Sequence, residues 1–133
     1  MDYSIKNLGQ VEDSAVKHGF SEVGEARFAH SELKAEDTGL SYHALRPNKR
    51  QAFAHCHSDA EEIYVVLSGS GRIKLDDNVV ELSTMDAVRI SPKVVRALEA
   101  GDDGLEVLAF GPRHEGDHEM SSIDDFWSST STS

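Results

Sequence analysis

From Leu40 onward the chain is a succession of short β-prone runs broken by polar and glycine-containing interruptions. The runs are Leu40–Leu45, Gln51–His57, Glu62–Leu67, Gly71–Leu75, Val79–Leu82, Ala87–Ile90, Val94–Glu99 and Leu105–Phe110. Between them stand Pro47-Asn48, Ser58-Asp59, Ser68-Gly69-Ser70, Asp76-Asp77-Asn78, Ser91-Pro92 and Gly101-Asp102-Asp103-Gly104, all residues that favour turns. Ser68-Gly69-Ser70-Gly71 lacks the lysine and helix of a phosphate loop and reads as a hairpin turn. Short strands at this spacing predict an all-β sandwich or barrel, not a parallel sheet with crossover helices.

The flanks differ. Residues 1–37 carry a mixed pattern and form an N-terminal arm expected to pack on the barrel. Within it, Ser21–Lys34 fits either a short helix capped by Ser21 or an edge strand around Ala26–Ala29. Residues 38–113 form the barrel. Residues 114–133 form an acidic, then Ser/Thr-rich tail, partly disordered over its last six positions. Phe126 and Trp127 are the aromatic exception there, and are expected to anchor the tail to the barrel or to a second subunit.

At 133 residues the chain suits one core, and 38% hydrophobic with 28% charged residues places it among globular domains. Its net charge of −11 argues against nucleic acid and anionic membranes, which call for clustered Lys and Arg. No apolar run approaches the roughly 20 residues of a bilayer span. The start has no basic stretch followed by an apolar one, so the expected location is the cytoplasm. A lone cysteine, Cys56, rules out an intramolecular disulfide and fits a reducing compartment.

The chemistry concentrates between His55 and Glu62. Side chains alternate along a strand, so His55 and His57 share a face and Cys56 points away. A turn at Ser58–Ala60 returns the chain, and the next strand opens with Glu62 beside the two imidazoles. Two histidines and a carboxylate with open positions suit a divalent transition metal: Fe, Mn, Ni, Co, Cu or Zn. Tyr64 and Val66 follow Glu62 at period two and should line the same cavity. Phe53 shares the face of His55 and should floor the pocket. His43, His18 and His30 lack a partner pattern. His114 and His118, with Gly116 between them, read as solvated. No nucleophile elbow of the Gly-x-Ser-x-Gly type is present.

The pattern His55-x-His57-x4-Glu62-x6-Gly69 resembles the first motif of the cupin superfamily. The glycine that usually leads it is replaced by Lys49, preceded by Asn48, which tolerates a left-handed turn. The second motif is matched more loosely by Met85-Asp86 through Pro92 to Arg96, where Arg96 stands in place of the fourth metal ligand. The resemblance covers roughly Leu40 to Phe110. It implies a double-stranded β-helix (a jelly-roll, or cupin, barrel), a metal held by His55, His57 and Glu62 rather than by the neighbouring Glu61, and a homodimer. Arg96 cannot ligate a metal, because its guanidinium stays protonated. It could bind an anionic ligand beside the metal, or pair with Glu62 and replace the metal. The functional expectation is a cavity for a metal and a small, anionic-tolerant molecule, with Arg96, Tyr64 and Phe53 as ligand contacts. Metal-dependent oxygenation or isomerisation is one use of such a site. A non-catalytic binding or assembly module is the other, and the sequence does not select between them.

Overall fold

The computed structural model describes residues 2–114 and 116–128. Eight strands curl into one antiparallel sheet: β1 Gly24–Phe28, β2 Thr38–Leu45, β3 Phe53–His57, β4 Glu62–Leu75, β5 Asn78–Ser83, β6 Ala87–Ile90, β7 Arg96–Pro112 and β8 His118–Ser122. Among the described residues, helices are confined to a 3-10 turn at Leu8–Gln10, a single turn α1 at Ser14–Lys17 and the short α2 at Ile123–Ser128. Ser21–Lys34 therefore supplies an edge strand. β1 pairs with β2 from Gly24↔Leu45 to Phe28↔Ser41, so the arm is hydrogen-bonded into the sheet. Among the described residues, no helix is long and apolar enough to cross a membrane.

Two interruptions do not reverse the chain. Ser68-Gly69-Ser70 lies inside β4, and Gly101-Asp102-Asp103-Gly104 lies inside β7. The two long strands pair with each other, and the register slips between Val66 and Ser68 and again between Gly69 and Gly71. The expected hairpin turn is thus a pair of facing bulges, which bend both strands and close the barrel. Glycine serves a bulge and a turn for the same reason. Gly69 has φ +80°, and a Cβ there would lie 2.1 Å from the Gly104 carbonyl oxygen.

The core lies between the curled faces. Val66, Ile73, Ile90, Leu98, Leu105 and Val107 are its most completely buried large aliphatics, joined by Tyr64 and Leu82. Alternation explains the set on β4, where Tyr64 and Val66 point inward and Leu67 outward at 41% exposure.

Two residues at or beside the departures from the motifs, Met85 and the Asn48 that precedes Lys49, have left-handed backbones. Asn48 sits at φ +61° and Met85 at φ +76°. Asp86 accepts the Ser83 amide at 2.8 Å and so clasps the β5–β6 turn. Met85 is 78% exposed and pays for a left-handed conformation that costs a side-chain-bearing residue about 1–2 kcal/mol. Part of that is offset by the greater unfolded-state entropy of glycine. Met85→Gly is therefore expected to raise the free energy of unfolding by about 0.5 kcal/mol in urea titrations. A loss of stability would show that the Met85 side chain contributes packing.

The tail returns to the barrel. β8 pairs with β3 from Phe53↔Ser122 to His57↔His118, and α2 lies beyond it. Trp127 is buried, with the Arg50 and Arg72 guanidinium carbons 4.4 and 5.4 Å from its ring centroid. Glu99 ties both arginines, at 2.6 Å to Arg50 and 2.6 Å to Arg72. The ammonium group of Lys74, a fully buried residue, donates to the Phe126 carbonyl and lies 4.4 Å from that ring's centroid. The two tail aromatics thus seat on this chain's own strands, each held partly by a cation–π contact. The disorder expected for the last six residues does not extend to Ser128, which is helical, and the other five lie outside the described residues.

Candidate metal centre

β3 and β4 build the site. His57 ends β3 and Glu62 begins β4, and Ser58–Glu61 make the turn between them. The turn is fastened by a residue with no sequence signal. The Asp117 carboxylate accepts the Ser58 and Asp59 amides at 3.1 and 2.8 Å on Oδ1 and the Ala60 amide at 3.1 Å on Oδ2. Asp117 is 6% exposed. Burial opposes its ionisation, but these three amides and the nearby His57 outweigh burial and hold its pKa below the usual carboxylate range.

The three expected ligands come together. His55 Nε2 and His57 Nε2 each stand 3.4 Å from Glu62 Oε1, and one donor atom from each of the three residues lies within 4.8 Å of the others. At 3.4 Å these contacts are long for hydrogen bonds. The separation does match a metal's coordination shell: ligands roughly 2.0–2.2 Å from a tetrahedral ion lie roughly 3.3–3.6 Å apart. The donor set also fits, being two imidazoles and a carboxylate. Burial, against the pull of Glu62, lowers the pKa of His55, so its imidazole is neutral and free to ligate at neutral pH. On the far side of the second ring, His57 Nδ1 stands 3.1 Å from Asp117 Oδ2, although out of line for a full hydrogen bond. A carboxylate behind a histidine is the arrangement that fixes a ligating ring.

Arg96 is fully buried directly across the ladder from His55. Its Nη2 donates to Glu62 Oε1 at 2.8 Å, and its Nη1 donates to the carbonyls of Val94 at 2.7 Å and Pro92 at 3.2 Å. The guanidinium therefore lies behind Glu62 and is engaged there. Of the two uses open to Arg96, the geometry shows pairing with Glu62. Burial alone would raise the Glu62 pKa. The close imidazoles of His55 and His57, with the charge of Arg96, reverse that and hold the carboxyl well below its usual range. Glu62 is anionic, and it lies between Arg96 and the two imidazoles. Glu61 instead reaches out to Arg89 at 3.4 Å across the surface.

The trio opens onto a cavity of about 760 Å³ bounded by β1, β2, β3 and β4, by the end of β7 and the residues after it, and by β8. Tyr64 lines it from the buried end. Phe53 lines it too, but at the mouth rather than the floor: it is 42% exposed and meets Phe20 edge-on at 5.4 Å. Cys56 faces away, as strand alternation requires. All seven histidines of the chain line this one cavity. His43 comes from β2, with Nε2 2.9 Å from Ser41 Oγ. Burial, then the neighbouring His55, pushes its pKa down to about 4. His114 and His118, read from sequence as solvated, stand on the cavity wall without joining the ligand trio.

The family model described as a cupin domain matches residues 41–111. The chain belongs to the cupin family. No curated protein sequence matches it. Among solved structures it resembles a cupin protein from Bacteroides fragilis, at 25% identity and a TM-score of 0.69, covering 87% of this chain and 88% of that one. A cupin 2 domain-containing protein from Halorhodospira halophila aligns at 19% identity and a TM-score of 0.62, covering 75% and 71%. The oxalate decarboxylase of Bacillus subtilis aligns at 16% identity and a TM-score of 0.73 over 98% of this chain, which spans about a third (34%) of that enzyme. This cupin shares their barrel, and its His55, His57 and Glu62 form a group able to hold a metal ion.

Proposed function

We propose that this cupin holds one divalent transition metal ion on His55 Nε2, His57 Nε2 and a Glu62 oxygen, and presents it to a small molecule in the barrel cavity. The observation that carries the reading is the convergence of both Nε2 atoms at 3.4 Å on one carboxylate oxygen, with a buried carboxylate behind His57. Bound there, the ion would act as a Lewis acid and a template for the bound molecule. The chain's own contributions are distinct. His55 and His57 offer imidazole nitrogens, Glu62 supplies negative charge, and Arg96 holds Glu62 from behind. Tyr64 and Phe53 shape the inner and outer ends of the space the ligand would occupy.

A second reading has its own observation. The 2.8 Å contact between Arg96 and Glu62 satisfies the carboxylate without a metal, as a metal-free binding module would require. Elemental analysis of protein purified without chelator separates the two. About one metal ion per chain, lost in His57→Ala, is the expected result. Metal-free wild-type protein that takes up none of the six candidate ions on dialysis would leave the second reading standing.

A further inference from the structure

The cavity is walled by phenylalanines. Phe28 from β1, Phe53 from β3 and Phe110 from β7 line it, and Phe28 and Phe53 are 55% and 42% exposed on its open side. Met120 of β8 adds 60% exposed apolar surface to the same rim. Large side chains left wet around one concavity mark a surface that an apolar molecule covers. The charges on the wall are few. Glu62 is held by Arg96, and Glu25 by Arg27 at 2.7 Å. The guanidinium of Arg113, exposed at the rim, is the one Lys or Arg group on the wall, and it has no partner among the described residues. A two-carbon dianion such as oxalate would leave most of about 760 Å³ to water, and would meet two carboxylates and one cation.

We propose that the cavity takes an apolar, ring-sized molecule with at most one acidic group, its ring between Phe28, Phe53 and Phe110 and its acidic group toward the histidines or Arg113. The proposal deepens the reading of the site as a metal-dependent small-molecule cavity and rests on it for the ligand's inner end. Calorimetric titration of the full chain, metal-free and zinc-loaded, with 2-naphthoate and with oxalate tests it. Both probes carry carboxylate, so the difference between them reports the ring. Naphthoate is expected to bind zinc-loaded protein at least about tenfold more tightly than oxalate. Phe28→Ala and Phe53→Ala, both at exposed positions that leave the core intact, should each weaken naphthoate by about tenfold, with zinc uptake unchanged. Phe53→Leu should recover part of the loss. Oxalate binding as tightly as naphthoate would overturn the proposal, as would no naphthoate binding, or Phe variants that bind it like the wild type. Failure of the metal reading looks different: zinc uptake is then absent, while naphthoate still binds and still responds to Phe28 and Phe53.

Discussion

Replacing Glu62 with alanine is expected to destabilise this cupin by about 3 kcal/mol, even in protein stripped of metal. The reason is Arg96. Its residue is fully buried and its Nη2 reaches Glu62 at 2.8 Å, so removing the carboxylate leaves a buried cation without its counter-charge. Breaking one side of such a pair usually costs about 3–5 kcal/mol. The lower end applies here, because Glu62 keeps some contact with the cavity and Nη1 keeps its two carbonyl partners. The double variant Glu62→Leu/Arg96→Met removes both charges and should recover stability to within about 1 kcal/mol of the wild type. Urea unfolding at pH 7 measures both. A loss below about 1 kcal/mol in Glu62→Ala would mean that water solvates Arg96 once the carboxylate is gone.

The same carboxylate sets a pH dependence. Its folded-state pKa lies below the ordinary value of 4.5, so its contribution is fully present above that value and fades as the pH falls below it. Glu62→Gln should therefore flatten the acid limb of the stability profile and leave the neutral limb parallel to the wild type.

Asp117→Asn is expected to lower metal affinity by about 10- to 100-fold, the usual effect of removing a carboxylate behind a ligating histidine. The substitution keeps the shape and one acceptor oxygen, but removes the charge 3.1 Å from His57 Nδ1. Asp117→Ala should cost more affinity, because it also strips the acceptor from the amides of Ser58, Asp59 and Ala60, and so loosens the turn between His57 and Glu62. Competition with a chromophoric chelator reads the affinity. Nitrogen-resolved NMR of His57 reads the cause, since the tautomer preference imposed by the carboxylate should weaken in Asp117→Asn. An affinity within twofold of the wild type would reduce Asp117 to a turn clasp.

The legibility of this site in sequence follows from how local each contact is. Strand alternation put His55 and His57 on one face, and a short return put Glu62 beside them, because those contacts are nearly consecutive in the chain. Asp117 left no such trace. It lies in an acidic tail, and its partners stand about sixty positions earlier with no periodicity linking the two. The position of Arg96 was readable by register, but its engagement with Glu62 depended on where the Pro92 and Val94 carbonyls point. Ser68-Gly69-Ser70 misled for another reason. Glycine with small polar neighbours serves a hairpin and a bulge equally, and only the facing interruption at Gly101–Gly104 tells them apart. His43, His114 and His118 looked unrelated because their only relation is the cavity wall.

The Asp117 clasp also bears on how the protein is made. Synthesis is vectorial, at roughly 5–20 residues per second, so the 55 positions from Glu62 to Asp117 take roughly 3–11 s to add. Throughout that interval a nascent chain carries all three ligands but lacks the residue that fastens their turn, and β3 lacks the β8 edge that covers it. On the proposed reading, tight metal capture would therefore follow the synthesis of Asp117 rather than precede it. For the same reason, a fusion partner or tag that strains the segment after Pro112 would act on the metal centre from outside the barrel.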